Sequence, residues 1–428
     1  MASIPRLLGA ASALALTAAF SLAAPTQAQT APAAPASTAP AAPAAWADTL
    51  AFTGQVEAGF TANPLGPPDH RNFGQLFTDH ANQPVLNQIL LTAQRPLDPK
   101  AEGWDFGFKL QGMYGADARY THFMGEFDRI IHDTNQIDLV EANALIHSPL
   151  LGSGGTDLKI GQYPTPLGYE VIDASGNPLY SHSYIFNFGL PFKHTGGYAT
   201  VHATDLLDLY AGVDSGTNTW IGSHGDNNDA AAGMAGFGLN MLGGNLTVLA
   251  LSHFGPENAR GAVDFSGKPI DVDGEFRYFN DVVVTWKASD KVTSITEINF
   301  VRDDGVNANG GGIAQYITYT FNDNWSLTGR GEVFNDQKGF YVAKFEQPLD
   351  FVNAERGLPT SSGGVVSGGK NTYTEVTLGV TWKPELPKPV SGFMLRPEIR
   401  YDHASHPVFG DGSDDNQVTF AADFVLQF

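Results

Sequence analysis

From Val418 to the final residue the chain alternates between two kinds of position. Val418, Phe420, Ala422, Phe424, Leu426 and Phe428 fall on one face of an extended strand, and Thr419, Ala421, Asp423, Val425 and Gln427 on the other. One face is apolar and the other mostly polar, over a length suited to a strand that crosses a bilayer at a tilt. The same period of two recurs elsewhere. Trp325, Leu327, Gly329, Gly331 and Val333 oppose Ser326, Thr328, Arg330 and Glu332. Phe393, Leu395, Pro397, Ile399 and Tyr401 oppose Met394, Arg396, Glu398, Arg400 and Asp402, while Trp104, Phe106, Phe108 and Leu110 oppose Asp105, Gly107, Lys109 and Gln111.

Carried along the chain, the pattern predicts sixteen strands near 49–62, 85–95, 104–116, 136–147, 156–164, 193–203, 206–215, 230–241, 244–254, 275–287, 291–302, 311–321, 325–335, 371–383, 393–403 and 417–428. Segments 136–147 and 244–254 alternate poorly, and their faces are not assigned. The connections fall into two classes. Those after odd-numbered strands are mostly long (63–84, 117–135, 165–192, 255–274, 336–370), and those after even-numbered strands are mostly short, such as Thr204-Asp205, Leu242-Gly243, Ser289-Asp290 and Asn322-Asp323-Asn324. Short turns at one end, long loops at the other and an even strand count are the marks of a bacterial transmembrane barrel with both termini inside.

A soluble sandwich would also alternate, but its inner faces pack on each other and would not carry charges of both signs in mid-strand. Four of the six tryptophans, Trp104, Trp286, Trp325 and Trp382, lie at strand ends on the short-turn side, joined by Phe321, Phe393 and Phe428. Such a ring matches the headgroup level of a membrane. The predicted fold is therefore all-β, a transmembrane antiparallel up-and-down β-barrel of about sixteen strands.

The N-terminus fits export. Arg6, an apolar stretch through Leu22 and Thr26-Gln27-Ala28 compose a signal peptide over 1–28. Residues 29–45 are almost entirely Ala, Pro, Ser and Thr, which predicts a disordered linker before a barrel over 46–428. Cleavage would remove one of the 24 basic residues and none of the 45 acidic ones, taking the net charge from −21 to −22. That acidity argues against a nucleic-acid partner. There are no cysteines, hence no disulfides. Past the signal no apolar run is long enough for a spanning helix, and an exported chain without one enters a membrane only as a closed barrel. The mean hydropathy of −0.14 is what strands that give half their residues to a lumen produce. The expected location is the outer membrane of a Gram-negative bacterium.

A barrel of this size encloses water, so passive diffusion of small hydrophilic solutes is the simplest function. Loop 165–192 carries Tyr169, Tyr180, Tyr184, Phe186, Phe188 and Phe192 among turn formers, too many aromatics for a water-exposed loop. It is expected to fold inward and narrow the pore, with Glu170 and Asp173 presenting negative charge. Arg330, Arg396 and Arg400, with Lys109, Glu332, Glu398 and Asp402, are expected to line the lumen and set a transverse field against apolar solutes. Net acidity suggests mild cation preference, which local basic residues would reverse. In a substrate-specific channel for sugars or anions, Tyr180, Tyr184 and Phe186 would be stacking platforms. An adhesin or receptor would use loop 336–370, although Ser361–Gly369 reads as flexible.

The stretch from Leu158 to Asn218 adds to this. Leu158-Lys159-Ile160-Gly161-Gln162-Tyr163 leads to Gly168-Tyr169-Glu170, then to Asn177 and Ser181–Ser183, followed by His194-Thr195-Gly196-Gly197 and Tyr210-Ala211-Gly212-Val213-Asp214. It resembles the putative beta-barrel porin-2, OmpL-like family of outer-membrane proteins. The resemblance implies a porin-like barrel and supplies no catalytic residues. No enzyme is expected: there is no G-x-S-x-G, and no H-E-x-x-H among the twelve histidines. The acidic loops 226–229 and 411–416 do not match a calcium loop, His403 with His406 is weak as a metal pair, and no cofactor or metal is assigned. Expected partners are outer-membrane lipid, the barrel-assembly machinery reading Phe428, the solutes themselves and, by analogy with general porins, two further copies in a homotrimer.

Overall fold

The structure, a computed structural model, describes residues 49–128, 130–220 and 225–428; the segments read as signal peptide and linker lie outside them. The strands are β1 (Ala51–Ala62), β2 (Pro84–Arg95), β3 (Asp105–Gly115), β4 (Gln136–Ser148), β5 (Thr156–Pro164), β6 (Lys193–His202), β7 (Leu207–Asp214), β8 (Ala232–Met241) and β9 (Leu246–Pro256) in the first half. The second half holds β10 (Phe276–Lys287), β11 (Val292–Asp303), β12 (Ala308–Asn322), β13 (Trp325–Asp336), β14 (Ala343–Phe345), β15 (Val365–Ser367), β16 (Asn371–Trp382), β17 (Gly392–Ala404) and β18 (Asn416–Gln427). All but β14 and β15 form one closed barrel of sixteen strands. Each pairs antiparallel with its neighbours, and β1 closes on β18 with Gln55 opposite Gln427.

The seam explains the terminal aromatic. Phe428 exchanges both backbone hydrogen bonds with Gly54, at 2.8 and 2.9 Å. Its ring lies across Gly54, where a Cβ would sit 2.2 Å from the ring carbons. A side chain at position 54 would have to displace the ring.

The faces follow the alternation. Phe420, Phe424 and Phe428 are exposed on the outside of β18, while Thr419, Asp423 and Val425 are buried inside. Trp104, Trp286, Trp325, Phe321 and Phe428 are exposed at the short-turn end, where Trp325 stacks on Trp382 at 5.8 Å. Of the two weakly patterned segments, 136–147 has a clear cause. Gln111 pairs with Glu141 and Gly112 with Leu139, so Val140 has no partner and forms a β-bulge. One extra residue inverts the parity: Asp138 points inward before the bulge, Glu141 and Asn143 after it. In β9 the inward Leu251 belongs to the apolar core and the outer face is also apolar, so nothing alternates.

The long loops fold over and into one end of the barrel. α1 (Ala118–Thr121) is fully buried, and α2 (Asp350–Glu355) lays Phe351 on Tyr120 and Phe192, with ring centroids 5.4 and 6.3 Å apart. The stretch Ser361–Gly369, expected to be flexible, is instead tied down. β15 pairs with β14, and the Ser361 amide and hydroxyl donate to Asp350 at 2.8 and 2.6 Å. Local backbone pairing overrides its Gly/Ser composition. No helix among the described residues is long and apolar enough to cross a membrane.

Candidate functional site

Loop 165–192 lies inside the barrel. A chain segment there has no ladder for its amides and carbonyls, and buried backbone groups must find partners. The wall supplies them from side chains. Glu398 accepts the Tyr180 and Ser181 amides at 2.9 and 3.1 Å. Glu332 accepts Tyr184 and Ile185 at 2.6 and 2.8 Å. Asp281 and Glu297 take Gly168 and Tyr169 at 3.1 and 3.2 Å. The guanidiniums serve the carbonyls. Arg396 donates to Ala174 and Asn177 at 2.8 and 2.7 Å, Arg330 to Ser181 at 2.7 Å and Arg400 to His182 at 2.6 Å. Gln88 of β2 holds the loop from the other side, donating to the Ile172 carbonyl at 2.7 Å and accepting the Ala174 amide at 3.3 Å.

The same arginines are neutralised by acids. Arg330 bonds Glu170 at 2.8 Å and Glu375 at 2.6 Å. Arg396 pairs with Asp423 and, at 3.2 Å, with Glu57. Arg400 pairs with Asp402 at 2.7 Å. All three guanidiniums face inward as expected, but each residue is only 1% exposed. They are mooring points beneath the loop and do not stand bare across a pore. The energetic reason is desolvation: a buried charge persists only when paired and hydrogen-bonded.

The two acids assigned to the loop part company. Burial alone would raise the Glu170 carboxyl, but Arg330, His182 and the Ser183 amide hold it down at about 2. Burial keeps the His182 imidazole below its ordinary range, with Nδ1 3.1 Å from Glu170. Glu170 is thus a structural ion. Asp173 is half-buried. It caps the single turn Ala174–Gly176 through the Ser175 amide at 3.0 Å, accepts from Gln55 at 3.1 Å, and faces a small cavity with Thr53, Thr92 and Gln427.

The aromatics proposed as platforms are interior packing. Tyr180 bonds Asn87 at 2.9 Å and lies over Gly59, where a Cβ would come within 2.4 Å of the ring. Tyr184 bonds Asp402 at 3.0 Å and stacks on Tyr373 at 4.9 Å, and Phe186 stacks on His182 at 4.3 Å. All three rings are buried.

Water reaches the inner wall on the opposite arc. Lys109 bonds Glu141 at 2.5 Å and Lys159 lies 4.0 Å from the same carboxylate, and both lysines remain partly exposed. Lys159 sits 5.9 Å from the Tyr198 ring, and Tyr198 and Tyr210 are half-buried. Asp157, His202 and Asp208 complete a polar chain at the short-turn end, with contacts of 2.7 and 3.3 Å. Of this arc only Lys109 is expected from the sequence reading. Asp281, Glu297, Glu375 and Gln88 are also additions, although their inward parity in alternating strands is a signal that could have found them.

Solved structures similar in fold to this chain include outer-membrane proteins and a porin. Pseudomonas putida OprB aligns over 89% of this chain and 94% of its own at 13% identity, with a TM-score of 0.52. An anion-selective porin from Comamonas acidovorans aligns over 89% and 99% at 9% identity and 0.52. A loop L8 deletion mutant of Vibrio cholerae OmpT aligns over 89% and 99% at 11% identity and 0.50. These likenesses are of fold. No curated protein is significantly similar in sequence. The profile of one family spans residues 49–428, which covers every barrel strand, and the chain accordingly belongs to the putative beta-barrel porin-2, OmpL-like family of the bacterial outer membrane.

Proposed function

We propose that this porin is a narrow channel for passive diffusion of small hydrophilic solutes, with loop 165–192 as its constriction. The observation that carries the reading is the mooring of that loop: its buried amides and carbonyls are matched by wall carboxylates and guanidiniums. A loop held this way narrows the lumen permanently. The path runs along the wetted arc of β3–β7, where Lys109, Lys159, Glu141 and Asp157 set the local field, with Asp173 adding negative charge at the small cavity beside β1 and β2. Charges lining a pore decide its selectivity.

The exposed parts of Tyr198 and Tyr210 favour a second reading, a substrate-specific channel for sugars or anions in which these rings are the stacking surface. In either reading the barrel is a channel and not an enzyme. Its membrane partners are lipid on the apolar outer face, the assembly machinery at Phe428, and two further copies in a homotrimer; crosslinking in detergent would give a three-step ladder for the trimer.

The decisive experiment is single-channel recording of the refolded protein in a planar bilayer under a salt gradient. Discrete, ohmic steps smaller than those of an unobstructed sixteen-stranded pore support a constricted channel. Absence of steps overturns it. Block of those steps by a sugar, relieved in Tyr198→Ala, would select the second reading.

A further inference from the structure

We propose that His194, Asp214 and His253 bind one divalent transition-metal ion of the zinc type, tying β6, β7 and β9 together beside the start of loop 165–192. None of the three is needed for the mooring described above, and the proposal does not depend on the channel reading. Their side chains are essentially without solvent exposure. His253 Nε2 lies 3.0 Å from Asp214 Oδ1, His194 Nδ1 lies 3.6 Å from Asp214 Oδ2, and the imidazole centroids are 4.5 Å apart. One ligand atom from each residue falls within 4.8 Å of the others. Donor atoms bound tetrahedrally to one ion at roughly 2.0–2.1 Å stand about 3.3 Å apart, so the spacing needs little adjustment.

The hydrogen bonding points the same way. His194 Nε2 is 3.1 Å from the Thr165 hydroxyl. With that nitrogen carrying the proton, the Nδ1 lone pair faces Asp214, the outer-partner arrangement that orients metal-bound imidazoles. His194 Nδ1, Asp214 Oδ2, His253 Nδ1, Glu257 Oε1 and the Tyr163 hydroxyl are all buried without a hydrogen-bond partner. They are close neighbours: Glu257 Oε1 is 3.9 Å from His253 Nδ1, and the Tyr163 and His194 rings are 5.8 Å apart. Such orphans are costly, and so many in one place call for a missing partner. A cation held by His194 Nδ1, Asp214 Oδ2 and His253 Nε2 satisfies the first two of these orphans directly and leaves a fourth position for water, while Glu257, on the side of the other ring nitrogen of His253, is placed as that imidazole's outer partner. Two imidazoles and a carboxylate suit zinc, copper, nickel or iron and not calcium or magnesium. Complete burial marks a resident ion rather than a permeating one. A cavity of about 330 Å³, lined in part by Glu257 and Phe279, lies beside the cluster.

The competing arrangement is a proton shared among His194, Asp214 and His253, and a metal titration separates the two. The refolded full chain is stripped with a chelator, checked for folding by its heat-dependent gel shift, and titrated with Zn²⁺ against a chromophoric competitor. The expected result is about one equivalent bound, a raised unfolding temperature, and visible d–d bands when Co²⁺ replaces Zn²⁺. His194→Ala and His253→Ala should each weaken binding roughly 100-fold or more, Thr165→Ala roughly 10-fold, and His403→Ala not at all. Thr165→Ala keeps the test open where a ligand variant fails to fold. No stoichiometric binding to folded wild-type protein, or binding undiminished in the histidine and Thr165 variants, would overturn the site.

Discussion

Two arcs of the same barrel wall use charge in opposite ways. Along β13, β16, β17, β18 and β1, Arg330, Glu375, Arg400, Arg396, Asp423 and Glu57 are buried and paired, and the three guanidiniums are turned on the backbone of an internal loop. Along β3–β7, Lys109, Lys159, Asp157 and Asp208 keep contact with water. Inward parity is identical in both arcs. The difference lies in what faces the side chain, and it teaches that a charge inside a barrel is a lumen charge only when no chain covers it. Substitutions in the first arc should act through stability and pore width, and those in the second through selectivity.

The largest contrast is expected from Arg396→Ala. It leaves Asp423 and Glu57 buried without their cation and frees two loop carbonyls, at a cost of about 3–5 kcal/mol. The unfolding temperature in detergent should fall and the single-channel step should grow; an unchanged step would break the mooring interpretation. Acid should act nearly as strongly. Glu170 sits at about 2 when folded against an ordinary value of 4.5. Its contribution is therefore fully present above the ordinary value and lost as pH falls from there toward 2, on the order of 3 kcal/mol in all. Step size should rise over that window, and Glu170→Gln should abolish the dependence. Gly59→Val should cost about 1–3 kcal/mol by driving a side chain into the Tyr180 ring, with a partial gain in step size. The smallest energetic effect, within about 0.5 kcal/mol, belongs to Lys109→Ala with Lys159→Ala. There the reversal potential should move toward cations while the unfolding temperature stays put, and the reverse pattern would erase the distinction between the arcs.

Much of this architecture is written in the period-two pattern. The strand positions, the faces of β13, β17 and β18 and the ring of tryptophans all follow from it, because a lipid-facing position tolerates little else. Three things do not. The bulge at Val140 inverts the faces of β4 without any residue that announces it. The burial of Arg330, Arg396 and Arg400 depends on a loop more than 130 residues earlier, whose inward fold its aromatics suggest but whose contacts they do not specify. The His194, Asp214 and His253 cluster draws one residue from each of three strands, and such a set has no spacing motif. Composition misled at Ser361–Gly369 for the same reason: a strand partner outside the segment decides its state.

The mooring also orders events in time. Ser181 waits for Glu398, 217 residues downstream, and the Ala174 carbonyl waits for Arg396, 222 residues downstream. Loop closure over such separations is slow to be repaid, so those contacts form after the wall that supplies them. The narrowing of the barrel is then the closing act of its assembly. A sheet still lacking β17 has open edges that lipid does not satisfy, so closing the wall and mooring the loop depend on the same late strand.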